Sequence, residues 1–281
     1  MGHCQELETI KGKRMTQVYL TIRQKLYSFL AQFDHITGRK APLIILCYHS
    51  ISSDSWRYGI TKEAFKKQMA YIEEHFAVIP LSEVTHFLDG SATFHKPAAV
   101  ITFDDGYSDI LEIRDYVRQH HIQPTLFLIG NTEKVCSDEL QTHRSFLTKN
   151  DVLNLVSDGW EIGCHSMTHP DFHTLSESQI QYEIHDAAQL IRTQLGIVPN
   201  TFTYPKGRYT QTIVSAVKSA GFVLGLTMDD SVIGKNSNPL LLPRIGVDRT
   251  HSLEEFKTLF SPSCIRLRHL IKSSFLSRFI V

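Results

Sequence analysis

The sequence predicts a parallel α/β fold with helices packed outside the strands, and three observations predict it. Short apolar runs alternate with stretches of helical period about six times along the chain. Several helical stretches close on glycine, as at Gly159, Gly196 and Gly221. Almost every conspicuous polar residue stands just after an apolar run, the edge of a β/α barrel where catalytic groups gather.

The elements follow in order. Residues 17–33 place Val18, Ile22, Leu26, Phe29, Leu30 and Phe33 at helical spacing, which predicts an amphipathic helix packed on the main domain. Residues 43–48 form an apolar run ending in Tyr48-His49-Ser50, a buried strand with a polar tip. Thr61 caps a helix over 61–75 with Ala64, Phe65, Met69 and Ile72 on one face, and Ser82 with Glu83 starts a shorter one near 82–89. Strand 98–103 runs into Asp104-Asp105-Gly106 and is followed by a helix over 109–120. Strand 125–129 precedes a helix over 148–158, and strand 161–164 ends at His165. A helix over 176–195, strand 201–204, a helix over 210–220 and strand 222–226 complete the alternation.

Composition narrows the function classes. The chain has 281 residues, 42% hydrophobic and 21% charged, with 29 basic and 29 acidic residues, so no charge excess points to a nucleic-acid partner. The five cysteines are scattered, odd in number and contain no CxxC pair, which argues for reduced thiols rather than a disulfide framework. No apolar run approaches the roughly 18 residues of a membrane span. The N-terminal stretch lacks a signal-peptide core, so the cytoplasm is the expected location, and Met15 is an alternative start. Gly2 fails the myristoylation pattern because Glu6 stands where Ser or Thr is needed. The chain divides into an N-terminal extension (1–40), a central domain (41–260) and a C-terminal tail (261–281). From 264 the tail alternates basic and apolar residues, which suits a helix capping the barrel or peripheral contact with an anionic membrane.

Two clusters carry chemistry. Adjacent carboxylates at 104 and 105 repel unless compensated, and a metal compensates them by taking one and leaving the other free as a base. The bland alternative is a solvated Asp-Gly turn. His165 and His169 lie four apart and can grip one ion, but 15 histidines make roughly 0.8 such pairs by chance, and His169 and His173 form another. Placement of the Asp pair and His165 at equivalent strand ends is what lifts the pair above coincidence. Two imidazoles and a carboxylate with open positions suit a divalent cation: zinc first, with cobalt, nickel or iron also accommodated.

Thr-Phe-Asp-Asp-Gly at 102–106, His-Ser-Met-Thr-His at 165–169 and Thr-Tyr-Pro-Lys-Gly at 203–207 resemble, in order and spacing, three motifs of the polysaccharide deacetylases, the NodB-homology group of carbohydrate esterase family 4. The resemblance spans roughly residues 41–260. Leu-Cys-Tyr-His-Ser at 46–50 and Leu-Pro-Arg-Ile-Gly-Val-Asp at 242–248 look like the subgroup acting on poly-N-acetylglucosamine and similar exopolysaccharides. It implies a distorted (β/α)₇ barrel and metal-dependent removal of acetyl from an N-acetylated sugar, polymeric, oligomeric or lipid-linked. Asp105, His165 and His169 would hold the metal, and Asp104 would be the base. Tyr204, Pro205, Lys206, Gly207 and Tyr107 would serve substrate and oxyanion, and Trp56 could stack on a sugar ring.

Two departures stand out. The usual third motif begins with an arginine, absent here at Thr203; Arg244 is the candidate substitute, with a surface salt bridge as its alternative. The late Leu-x-His motif that supplies the acid is matched only by Leu267-Arg268-His269 in the basic tail, which reads as coincidence. His49 is the better candidate acid, and its early position makes the motif order a circular permutation. Asp229 and Asp230 could line the groove or simply turn the chain. A non-catalytic sugar-binding homologue, a hydrolase of another C–N amide and, less compatibly with the alternating fold, an iron(II) oxygenase remain alternatives to the deacetylase.

Overall fold

The computed structural model describes residues 20–135, 140 and 144–273. Expectations about Gly2, Met15 and the last eight residues of the tail lie outside the described residues. Helix α1 (20–36) leads into β1 (Leu43–Tyr48), and β2 (Ser50–Ile51) pairs with β3 (Gly59–Ile60) apart from the main sheet. Then come α2 (Lys62–His75), β4 (Ala77–Val78), α3 (Glu83–Leu88) and β5 (Ala98–Phe103). After β5 the chain makes a 3₁₀ stretch before α4 (Arg114–Gln119), then β6 (Thr125–Leu128), α5 (Lys149–Ser157) and β7 (Glu161–Cys164). Helices α6 (Glu177–Gln181) and α7 (Ala187–Leu195) precede β8 (Thr201–Thr203), α8 (Gln211–Ser219) and β9 (Leu224–Thr227). Two short strands, β10 (Leu242–Pro243) and β11 (Ile245–Gly246), precede α9 (Leu253–Thr258) and α10 (Pro262–Ser273).

The main sheet has the order β10-β9-β8-β7-β6-β5-β1-β11, every ladder parallel, with β4 on the side of β5. Its two ends are one stretch of chain. Leu242 and Pro243 pair with Leu226 and Thr227 of β9, while Ile245 and Gly246 pair with Leu46 and Cys47 of β1. Residues 242–246 therefore bridge the seam and close a barrel of seven staves, with Arg244 at the crossover. This is the expected (β/α)₇ architecture. The seam strand was not readable from hydropathy, because only two residues pair on each side.

All six residues of β1 and all six of β5 are buried, as strands covered on both faces require. Phe103 packs on Tyr48, Phe65 and Trp160, so Trp160 is a core residue. The expected long helix over 176–195 is interrupted by a π turn at Tyr182–Asp186. That extra residue turns Glu183 inward, a common reason for π turns near functional loops.

Helix α1 corrects the sequence reading. Of the described residues of its apolar stripe only Leu30 packs against the core, whereas Ile22 is 60% exposed, Leu26 43%, Phe29 68% and Phe33 45%, with Ile36 beyond them 73% exposed. The docked face is instead mixed and largely polar. Arg23 binds Glu255 at 2.5 Å, Asp34 accepts from Ser261 and Ser263, and Tyr27 is buried beside Cys264. Specific hydrogen bonds to α9 and α10 set the rotation of this helix, and the apolar stripe lies outside it. Among the described residues no helix is long and apolar enough to cross a membrane.

Candidate active site

Each chemical cluster sits where a stave ends. Asp104 follows β5, its backbone N–H donating to the Tyr48 carbonyl at 2.9 Å. The chain then turns sharply. Asp105 has φ +70° and Gly106 φ +86°. The torsion favours glycine, and a Cβ at 106 would also sit a tight 3.0 Å from the Leu128 side chain. Ser166 and His169 also have positive φ, and the Ser166 hydroxyl accepts from the His169 backbone at 2.9 Å. Non-glycine residues rarely adopt this region, and clusters of them mark sites held in place by their surroundings.

What holds the 165–169 loop is Glu183, a residue the sequence reading passed over. Its buried carboxylate accepts from the backbone of Met167 at 2.9 Å and of Thr168 at 2.8 Å, and from the Thr168 hydroxyl at 2.7 Å. The π turn places it there. Glutamate and π turn together carry no local sequence signal beyond a carboxylate on the wrong face of a helical pattern.

His165 and His169 meet Asp105 from the facing loop. His165 Nε2 lies 3.5 Å and His169 Nε2 3.9 Å from Asp105 Oδ1. His165 Nδ1 donates to the Thr203 carbonyl at 3.0 Å, which leaves Nε2 as the acceptor nitrogen facing Asp105. Thr203 thus orients an imidazole at the position where the resemblance leads one to expect an arginine.

Arg244 and Asp104 form a buried fork. Arg244 Nη1 and Nη2 each reach a carboxylate oxygen at 2.7 Å, and Arg244 is 1% exposed, which excludes the surface-bridge alternative. Nη1 also donates to Thr102 Oγ1 at 3.3 Å. The Cys47 thiol donates to Asp104 Oδ2 at 3.4 Å. Burial alone would raise the Asp104 pKa, but the guanidinium charge prevails and holds it well below the carboxylate range. Asp105 moves the other way, pushed well above that range by burial and then by the charge of Asp104. Burial pushes His165 and His169 down.

A cavity of about 600 Å³ opens over this cluster, and Asp104, Asp105, His165, His169, Arg244 and His49 all line it. His49 ends β1, so the first stave does deliver its imidazole to the same mouth. The ring tilts against Tyr58 at 4.9 Å, its Nδ1 is buried without a hydrogen-bond partner, and burial lowers its pKa to about 4. Tyr204, Lys206 and Gly207 line the cavity, and Lys206 has φ +59°. Pro205 is buried beneath them. Trp56 lines the cavity too, whereas Tyr107 is fully buried, stacked on Phe146 and edge-on to Trp56. His269 instead bonds the Asp229 carbonyl at 2.6 Å, and Asp230 is buried against Arg268 and Lys272. The cavity wall also includes Asp248, the last residue of the 242–248 segment, and Arg57 and His251, which sequence patterns did not single out.

The donor set fits a metal on geometry alone. Both carboxylate oxygens of Asp105 and Nδ1 of His169 are buried with no hydrogen-bond partner. The ligand atoms of Asp105, His165 and His169 lie within 4.8 Å of one another. Donors at about 2.1 Å from a tetrahedral zinc sit roughly 3.4 Å apart, close to the spacing here. An orphaned buried carboxylate is costly unless a cation meets it.

Comparison with known proteins agrees with this geometry. The chain is 25% identical over 213 residues to YxkH of Bacillus subtilis, spanning 75% of this chain and 73% of that protein. It is 24% identical over 223 residues to a poly-β-1,6-N-acetyl-D-glucosamine N-deacetylase of Staphylococcus aureus, spanning 74% of each. The fold matches the Streptococcus pyogenes deacetylase PplD with a TM-score of 0.69 at 21% identity, over 79% of this chain and 100% of that one. It matches IcaB of Ammonifex degensii with a TM-score of 0.67 at 20% identity, over 80% and 97%. Residues 91–225 match the family model described as polysaccharide deacetylase.

Proposed function

We propose that this protein is a metal-dependent N-deacetylase that releases acetate from an N-acetylated sugar, as the name of its Staphylococcus aureus relative describes for that protein. The observation that carries the reading is the orphaned carboxylate of Asp105, facing two imidazoles and flanked by a clamped Asp104.

Asp105, His165 and His169 would hold a divalent cation, zinc being the best match to two imidazoles and one carboxylate. When bound, that ion supplies Lewis acidity toward the acetamide carbonyl and acidifies a water. Asp104 takes the proton of the attacking water. Arg244 keeps Asp104 ionised and pointed, since both carboxylate oxygens are engaged in the fork. The strained turn at Tyr204–Gly207 offers backbone N–H groups, that of Lys206 first, to the developing oxyanion. His49 protonates the departing amine. Burial lowers its pKa to about 4 and so disfavours the charged ring, while the neighbouring carboxylate of Asp104 favours the imidazolium this role requires. Trp56 and Tyr58 offer aromatic faces for the sugar ring.

Acetate release from N-acetylglucosamine oligomers and lipid-linked N-acetyl sugars, with and without added Zn²⁺, tests the proposal. Wild type is expected to release acetate and Asp104→Asn to be inactive while still binding zinc. Tight zinc binding with no acetate from any of these substrates would overturn it.

A further inference from the structure

The exposed stripe on α1 has a counterpart in the charge distribution. Ile22, Leu26, Phe29, Phe33 and Ile36 repeat at alternating steps of four and three, and on a helix they fall within an arc of about 80°. They are large, adjacent and solvent-facing, a contiguous patch of the kind that marks an interaction surface. Leu270 of α10 is 63% exposed as well.

Charge decides what covers the patch. Residues 11–40 carry Lys11, Lys13, Arg14, Arg23, Lys25, Arg39 and Lys40 against a single acid, Asp34, which is buried and hydrogen-bonded. Residues 262–281 carry Arg266, Arg268, Lys272 and Arg278 and no acid. The intervening residues 41–261 hold 18 basic and 26 acidic residues. With Glu6 and Glu8 included, residues 1–40 still carry seven basic against three acidic residues, so a chain of zero net charge is split into basic terminal segments and an acidic barrel. The two segments meet in space: Arg39, Lys40 and Arg266, all exposed, line one cleft beside the C-terminal end of α1. A second copy seated on the stripe would bring two basic segments together, which repel. An anionic surface is attracted to them.

We propose that α1, with α10 beside it, is a docking surface for an anionic lipid bilayer, the stripe entering the interface and Lys25, Arg39, Lys40 and Arg266 meeting headgroups. The same two helices build one wall of the catalytic cavity through Arg23, Tyr27, Arg268, Ile271 and Lys272. Docking therefore sets the cavity mouth next to the bilayer, where a sugar carried on a lipid or emerging from the membrane is presented. That consequence rests on the deacetylase reading; the docking itself does not.

The test is co-sedimentation of the full chain with phosphatidylglycerol-rich and with pure phosphatidylcholine vesicles, beside the double variant Phe29→Ser/Phe33→Ser. Both phenylalanines are solvent-facing, so the variant keeps its fold by circular dichroism and its acetate release from a soluble substrate. Wild type is expected to bind the anionic vesicles, and the variant to lose roughly ten-fold or more of that binding. Wild type that ignores anionic vesicles, or a variant that binds them equally well, overturns the proposal. Sedimentation velocity without vesicles supplies the other arm: a wild-type dimer that becomes monomeric in the variant assigns the stripe to a second copy and overturns membrane docking.

Discussion

Replacing Arg244 by alanine removes one partner of an ion pair that has no access to water. The fork to Asp104 consists of two charge-assisted bonds at 2.7 Å, and the partners' side chains are 1% and 4% exposed. Truncating one side of a buried pair leaves the other charge desolvated and unpaired, which costs about 3–5 kcal/mol, whereas a solvated pair contributes about 0–1 kcal/mol. Arg244→Ala should therefore lose roughly 3–5 kcal/mol in urea unfolding. Arg244→Lys retains the charge but cannot form the fork, and should lose about 1.5–3 kcal/mol, the contribution of one hydrogen bond to a charged group. The cycle closes with Asp104→Asn: in that background the further change Arg244→Ala should differ by more than about 1 kcal/mol from its effect in wild type, because the two side chains share both bonds. Loss of less than 1 kcal/mol in Arg244→Ala, with no coupling to Asp104, would refute the idea that this arginine clamps the base. Arg244 also lies between the residues that pair with β9 and β1, so the unfolding slope should be measured, to separate loss of the pair from loosening of the seam.

Glu183→Ala strips the carboxylate acceptor from the buried Thr168 N–H, worth about 1–3 kcal/mol when left unsatisfied, while the Met167 N–H keeps the residue-183 carbonyl at 3.1 Å. It should weaken zinc binding by isothermal titration as well as lower stability, although Glu183 is not itself among the candidate ligands; unchanged zinc affinity would show that the loop holds its shape without it. Stability should fall with acid. His49 has its folded pKa pushed by burial to about 4, below its unfolded value of about 6.5, so the unfolded chain takes up the proton first. This stability is present above pH 6.5 and is lost as pH falls toward 4, on the order of 3 kcal/mol by then. Burial shifts His251 in the same direction. The wild-type urea midpoint should drop between pH 7 and 4.5, and His49→Ala should show a shallower drop; parallel curves would contradict the assignment.

What could be read from the sequence followed how local each determinant was. The staves β5 to β8 announced themselves because each is a short buried run ending in a polar turn, and the Asp pair and His165 were legible as a site because they end such runs. The seam was not, since Leu242–Gly246 has neither length nor alternation; its identity as a strand depends on β9 and β1 arriving on either side. Glu183 was invisible for a related reason: a π turn aims it at a loop some fifteen residues upstream, and helical periodicity alone puts it elsewhere. The α1 stripe failed more instructively. Periodicity identified an apolar face correctly, but it does not say what that face meets, and the hydrogen bonds of Arg23 and Asp34 turned it away from the barrel.

The closure of the barrel also explains why an acid candidate can come first in the chain. β1 lies between β5 and the seam, so its end is an immediate neighbour of the end of β5. The register pairs Tyr48 with Phe103, which sets His49 level with Asp104. The ring around the mouth is closed, so for the proposed proton transfers adjacency around it is what counts, and a stave contributed early reaches Asp104 as directly as one contributed late. Arg244 shows the same logic from the other end of the domain. It enters through the seam beside β1 and supplies the cation that Thr203, at the start of the third motif, does not.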